Sequence, residues 1–313
     1  MRLPPPWLAG PVVLLLELAL LAAAPLLLGL GALLSPVLGG RRPLRLVAIV
    51  LAYCAHHLAA CAACGLLWCA GLRGWQRGHY AVMRWFVRGI TRTVVRCARV
   101  GVHVDGDEAL RGDDPLVVLS RHAGEGDSLL VLHELLVRHR RRPRIVLHEA
   151  LRADPLIAML GTRLPNRFVD PRGGDIEQEI AALAGGLGPC DALLIFPEGK
   201  NFSEQVRQRG IARLLERGFH RQARWAREMR HVSAPRPGGA LAAVEAAPQA
   251  RVVVLGHSGF PSGLGETWRL LPARQDVHVR WWAAPAPAAG EERVDWLFRL
   301  WRELDAWAAR TAG

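Results

Sequence analysis

Hydrophobic residues crowd into two long runs near the start of the chain and into short runs afterwards. Pro11 to Gly39 carries one charge, Glu17, and Leu46 to Leu72 carries none, although it holds His56 and His57. A helix rises about 1.5 Å per residue, so either run can cross a hydrocarbon core of about 30 Å. Neither has the shape of a signal peptide. The first is too long, and Ala22-Ala23-Ala24 lies inside it rather than after it. The pattern predicts a membrane hairpin of two apolar helices over residues 1–74.

The period then changes. Between Trp75 and Val100, Arg84, Arg88, Arg92 and Arg96 recur every four positions, with Trp85, Phe86, Ile90 and Val94 toward another side. This predicts a basic amphipathic helix over residues 75–100, suited to the headgroup layer of an anionic membrane. The same pattern fits a helix docked on a globular domain with its arginines in water.

Residues 101–313 read as one α/β domain. Val102–Val104, Leu116–Leu119, Arg144–Leu147, Ala192–Phe196, Val252–Leu255 and Val277–Trp282 are predicted strands. Asp127–Arg138, Asp175–Ala184 and Glu204–Arg217 are predicted helices. Ala283–Gly290 is a Pro/Ala linker, and Val294–Ala308 closes the chain as an amphipathic helix. Alternation of this kind predicts an α/β sandwich whose largely parallel, twisted sheet is flanked by helices. No internal repeat is present.

Charge adds an anionic partner to this picture. The net charge is +12, and the basic residues are arginines except for Lys200. Arg73, Arg77, Arg84 and Arg88 follow the second apolar run, which predicts a cytoplasmic face for the large domain, at a bacterial inner membrane. Arg41, Arg42 and Arg45 between the runs also fit a hairpin that returns to the side it entered. Of the six cysteines, Cys54, Cys61, Cys64 and Cys69 lie in the second run, while Cys97 and Cys190 stand apart. That is no secreted disulfide framework and indicates a reducing compartment. Cys54, His57, Cys61 and Cys64 share one helical stripe, open to metal ligation or to plain packing of small residues. No metal site is expected.

The candidate chemistry lies in two blocks. The first is Arg121-His122-Ala123-Gly124-Glu125-Gly126-Asp127. Five residues of regular helix turn through about 500°, so His122 and Asp127 cannot share a helix face. A turn permitted by Gly124 and Gly126 would put His122 before a helix and Asp127 at its start. The carboxylate could then accept one ring N–H and leave the other nitrogen to take a proton from a hydroxyl. Alternatively, Asp127 is only a helix cap. The second block, Phe196-Pro197-Glu198-Gly199-Lys200, ends an apolar run. Pro197 stops the strand and Gly199 allows a left-handed turn, where backbone N–H groups could face a phosphate or an oxyanion. Glu198 is placed to bond an acceptor hydroxyl or to lock the turn, and Lys200 adds a positive charge.

His122-x4-Asp127 together with Phe196-Pro197-Glu198-Gly199 resembles the glycerolipid acyltransferase family, which includes the 1-acylglycerol-3-phosphate and lysocardiolipin-like acyltransferases. Leu151–Asp170 with Pro155 and Phe168-Val169-Asp170, Arg230–Gly239, and Val252–Gly256 resemble its further motifs, over about residues 80–285. The resemblance implies His122 as base, Asp127 as its partner, and Glu198, Gly199, Lys200, Arg172 and Arg121 at the substrates. It implies a lysophospholipid acceptor, acyl-CoA or acyl-carrier protein as donor, contact with anionic membrane lipids, and no metal or cofactor. Four positions depart from the family pattern. Arg121 replaces an asparagine, Lys200-Asn201 a Thr-Arg pair, and His148 a lysine, while Pro171 displaces an expected arginine to Arg172. The departures fall on phosphate recognition, so a different lysophospholipid or a glycolipid acceptor remains open.

Two other readings stand beside this one. Gly256-His257-Ser258-Gly259 resembles the nucleophile elbow of an α/β-hydrolase with Ser258 as nucleophile. Phe260 holds its fifth position, however, and only His278 follows. A basic, membrane-anchored binding protein without catalysis also fits the charge. No nucleic-acid motif is present, and no nucleic-acid partner is expected.

Overall fold

The computed structural model describes residues 6–124, 126–170, 175–261, 264–271 and 273–311. The first apolar run does not form a single helix. It folds as α1 (Pro6–Ala22) and α2 (Ala24–Leu38), bent by 63° at the break. Pro25 lies in the first turn of α2. A proline there forfeits no backbone bond, whereas inside a continuous helix it would, so restarting is favoured over continuing. Gly39, Gly40 and Arg41 then turn the chain with positive φ into α3 (Arg42–Cys69). Helix α3 is long and apolar enough to cross a membrane, while α1 and α2 reach that length only as a bent pair. The symmetric two-helix hairpin expected from the sequence is thus a straight helix beside a broken one.

These helices are fastened to the rest of the chain by a buried polar contact. His57 of α3 is fully buried, with Nδ1 2.8 Å from Glu17 Oε2 of α1. Its Nε2 is 3.2 Å from Oδ1 of Asp154, the residue that caps the following helix by accepting the Ile157 N–H. The lone charge of the first run therefore faces inward rather than toward lipid. Replacing Glu17 with alanine removes one partner of a buried charged group, which costs about 3–5 kcal/mol. Limited proteolysis should cut the α1–α2 segment faster in that variant than in the parent.

Helix α4 (Gln76–Ala98) buries Tyr80, Met83, Val87 and Ile90 on one face. The Tyr80 hydroxyl donates to the Pro143 carbonyl, and Arg84 Nε donates to Leu136 O. The apolar stripe is thus docked on protein, while Trp75 and Trp85 stay about half exposed.

The α/β domain follows in the order β1 (Val100–Asp105), β2 (Leu116–Ser120), α5 (Asp127–Leu132), β3 (Arg142–His148), α6 (Pro155–Arg163), β4 (Arg167–Val169) and α7 (Ile176–Gly185). It continues with β5 (Asp191–Ile195), α8 (Glu204–Glu216), α9 (His220–Glu228), α10 (Pro237–Ala246), β6 (Arg251–Ser258), α11 (Leu264–Leu270), β7 (Gln275–Ala283) and α12 (Arg293–Thr311). Helix α5 runs on into a π-turn over His133–Arg138. The sheet has seven strands in the order β1-β7-β6-β2-β5-β3-β4. All neighbours are parallel except β6 and β7. It is therefore mixed but mostly parallel, with helices on its faces.

The central strands β2 and β5 are fully buried along their length, as two-sided coverage requires. One core layer gathers Trp296, Phe298, Trp301 and Leu304 of α12 with α7, α8 and α10. The other packs α5 against β1, β2, β5, β6 and β7. At Gly256 an added Cβ would lie 2.7 Å from Trp307 and 2.8 Å from Leu304, so the bare backbone lets α12 lie close on β6.

Candidate active site

In a parallel sheet the carboxyl ends of the central strands open onto a common crevice. Here β2 and β5 are neighbours, with Leu119 opposite Ile195. His122 follows the end of β2, and Phe196-Pro197-Glu198-Gly199 follows the end of β5. The topology alone brings the two blocks together.

His122 precedes α5 and Asp127 is its first residue, with Gly126 turning between them at φ 95°. His122 Nδ1 lies 2.8 Å from Asp127 Oδ2. The same oxygen accepts the N–H groups of Ala123 (3.0 Å) and Gly124 (3.3 Å), and Oδ1 accepts the Ser128 hydroxyl. Asp127 is thus both helix start and partner of the imidazole. Its side chain is 1% exposed, against 23% for His122. The carboxylate is sealed in while the ring remains reachable. Burial raises the Asp127 carboxyl, but the bond from His122 and the Gly124 N–H more than offset this and hold it below the usual carboxylate range. The Phe196 ring lies 4.5 Å from the His122 ring, tilted by 33°, and fixes its orientation from one side.

Glu198 locks the turn. Its Oε1 accepts the His122 backbone N–H at 3.0 Å and its Oε2 accepts the Ser233 N–H at 2.8 Å. Being fully buried, the carboxyl is pushed up to about 7 despite those two bonds and nearby Arg121. Of the two roles considered for Glu198, both oxygens serve the backbone one. Gly199 adopts φ 71°, and its N–H donates to Phe196 O at 2.9 Å. That N–H closes the turn and is not itself free for an anion. Lys200 is exposed beside it.

Arg121 sits differently from its expected place at a substrate. It is buried, and its guanidinium donates to the backbone carbonyls of His257 and of His231, the latter at 2.6 Å. An asparagine is too short to reach both. The arginine clamps the end of β6 and the segment before α10 onto the end of β2. Arg172 lies outside the described residues, as do Glu125 and Pro171.

Sequence reasoning missed His257. It is fully buried behind the pair, 3.8 Å from Asp127 Oδ2, and its Nε2 donates to Arg121 O at 3.0 Å. Its Nδ1 has no partner. Burial first of all pushes its pKa down to about 4, so it stands beside Asp127 as a neutral ring whose one N–H is given to Arg121 O. Nothing in the one-dimensional pattern marks it, because it sits within an apolar strand more than a hundred positions away. The unfolded chain takes up a proton at His257 near pH 6.5, which the native state resists until about pH 4. Stability tied to this residue is therefore lost as pH falls through that window. His257→Gln keeps a donor for Arg121 O but does not titrate. Its unfolding free energy should fall less than the parent's between pH 7 and 4.5, by on the order of 2–3 kcal/mol, as read from denaturation at the two pH values.

Asp305 of α12 also escaped notice. Its Oδ1 accepts the backbone N–H groups of Arg230, His231 and Val232 and seats the segment leading to Ser233. Nothing supports the hydrolase reading of Ser258. It ends β6, but it is buried and its hydroxyl donates to Thr311 Oγ1 of α12 at 2.8 Å rather than opening onto the His122 side of the sheet. Among the described residues no group of three or more His, Cys, Asp or Glu side chains is arranged to hold a metal ion; of the stripe Cys54, His57, Cys61 and Cys64, His57 is held by Glu17 and Asp154, and Cys54 and Cys64 are buried as free thiols.

An imidazole oriented by a sealed carboxylate, at the mouth of a mostly parallel α/β sheet, is an arrangement able to take a proton from a hydroxyl. Residues 101–256 match the family model described as Acyltransferase, and the chain belongs to that family. Among solved structures it is similar to the 1-acyl-sn-glycerophosphate (LPA) acyltransferase PlsC from Thermotoga maritima. The identity is 13%, covering 80% of this chain and 96% of that one, with a TM-score of 0.42. No curated protein matches the chain significantly.

Proposed function

We propose that this acyltransferase moves a fatty acyl group from acyl-CoA or acyl-carrier protein to the free hydroxyl of a lysophospholipid, with 1-acylglycerol-3-phosphate as acceptor and phosphatidic acid as product. The observation that carries the reading is the 2.8 Å contact of His122 Nδ1 with a buried Asp127, which leaves Nε2 of a reachable ring as the proton acceptor. His122 takes the hydroxyl proton while the oxygen attacks the thioester carbonyl. Asp127 stabilises the imidazolium that forms. The tetrahedral intermediate collapses, the C–S bond breaks, and the imidazolium returns its proton to the departing thiolate. No side-chain nucleophile is required. Phe196 and the Glu198 bond to the His122 N–H keep the ring in position through the cycle.

We further infer that α3 and the bent pair α1–α2 lie in a membrane, with Trp68, Trp75 and Trp85 at its surface. The support is their exposure together with Leu15, Leu26, Leu33 and Leu66, all more than half exposed. Lipid substrates would then reach a site held beside the bilayer by the Glu17–His57–Asp154 contact, the catalytic domain being on the cytoplasmic side. Mass spectrometry of lipids, after incubation of purified protein with mixed lysolipids and one labelled acyl-CoA, tests the assignment. Labelled phosphatidic acid is the expected product. Label appearing only in fatty acid or glycolipid would reject it.

A further inference from the structure

Where the family pattern has Thr-Arg after the Glu-Gly turn, this chain has Lys200-Asn201 and so lacks an arginine there. A guanidinium nevertheless reaches the same spot from elsewhere in the sequence. Arg236 lies against Gly199, where an added Cβ would be 3.0 Å from its Cζ and 3.1 Å from its Nε and Nη1. Its backbone N–H donates to Pro197 O at 2.8 Å, which ties its position to the turn itself. The absent side chain at Gly199 is therefore the space that Arg236 fills.

The surroundings have one sign of charge. Arg213 and Arg217, at the end of α8, are the charges that act on Arg236, and both are exposed. Among the described residues none of these three guanidiniums joins an ion pair. Nearby arginines do find carboxylates: Arg207 with Glu204, Arg221 with Asp295 and Arg302 with Glu228. Exposed Lys200 adjoins the group. Solvated arginines normally spread apart. Arg236, unpaired and laid on the turn whose Glu198 holds the His122 backbone, with Arg213 and Arg217 adding positive charge around it and no acid to offset them, makes a place for a multivalent anion.

We propose that Arg236, laid on Gly199 and backed by Arg213 and Arg217, grips a phosphoryl group of a substrate during acyl transfer. This rests on the acyl-transfer reading, and phosphoryl groups occur on two candidate substrates: the phosphomonoester of a lysophosphatidate and the nucleotide phosphates of acyl-CoA. Arg236 binds and positions; His122 remains the base.

The test compares the parent with Arg236→Ala and Arg236→Lys on three substrate pairs: lysophosphatidate with acyl-CoA, monoacylglycerol with acyl-CoA, and lysophosphatidate with acyl-pantetheine. If the acceptor's phosphate is held, Arg236→Ala raises KM for lysophosphatidate about 10–100-fold. The preference for lysophosphatidate over monoacylglycerol then collapses by a similar factor. If the donor's phosphates are held, KM rises for acyl-CoA and the preference over acyl-pantetheine collapses instead. Arg236→Lys, keeping charge but not the fork, should recover part of either loss. Equal losses on all three pairs would show a structural role and overturn the proposal, as would unchanged KM values. Thermal stabilisation by inorganic pyrophosphate, present in the parent and lost in Arg236→Ala, reads the anion site in a protein that transfers no acyl group. Its presence without acyl transfer would sink the enzymatic reading while keeping the site, and equal stabilisation of parent and variant would sink the site.

Discussion

His122→Ala should lower kcat by about a hundred- to ten-thousand-fold, the range a positioned general base supplies, while the protein remains folded. The loss in kcat follows from the geometry. Among the described side chains at the strand ends, the part-exposed His122 ring is the one with a buried carboxylate to orient it. His257 cannot take its place, because it is fully buried and its Nε2 already serves Arg121 O. Folding is spared because the ring packs mainly on Phe196 and is itself part exposed. Asp127 keeps the Ala123 and Gly124 N–H groups after the imidazole is gone. The stability cost should be about 1 kcal/mol, that of one net hydrogen bond. Single-turnover kinetics with saturating lysophosphatidate, beside a thermal melt, check both halves. Parent-like turnover would remove the proposed base.

The sequence made the strand-borne parts of this site readable, because strands place their successors predictably. The apolar runs at Leu116–Leu119 and Ala192–Phe196 became adjacent parallel strands, so the blocks that follow them had to meet. The turn chemistry was readable too: Gly126 and Gly199 both adopt the positive φ their positions require. What stayed hidden was built by long-range contact. The family resemblance places Arg121 at a substrate, yet it turns inward to carbonyls more than a hundred residues away. Arg236 reaches Gly199 only through the fold. Strand β4 has three residues, Arg167–Val169, too few to show a period. Helix α9 is short and its buried face is made of Gln222, Ala223 and Ala226, and α10 opens on Pro237-Gly238-Gly239, so no run of large apolar residues marks either. The bend between α1 and α2 was hidden by uniform hydrophobicity, in which Pro25 was the one signal.

Asp127→Asn separates charge from orientation, and should be the second most damaging change in activity. In many histidine–carboxylate pairs an asparagine turns its amide nitrogen toward the ring and forces the wrong tautomer. Here that outcome is disfavoured. His122 Nδ1 and the N–H groups of Ala123 and Gly124 converge on the single atom Oδ2. An asparagine that points its nitrogen there meets three donors, so its oxygen takes the place and the amide nitrogen faces Ser128, whose hydroxyl can accept instead of donate. The ring keeps its tautomer and direction. Only the negative charge 2.8 Å from the forming imidazolium is lost. In so buried a position that charge is poorly screened, and its removal should lower kcat by about a hundred- to a thousand-fold with KM for the acceptor little changed. Asp127→Ala should match that loss and add destabilisation of about 1–3 kcal/mol for each N–H left without an acceptor. Equal stability of the two variants would show that the Oδ2 contacts do not hold the loop. An asparagine variant with parent-like kcat would show that Asp127 orients the imidazole but does not stabilise its charge.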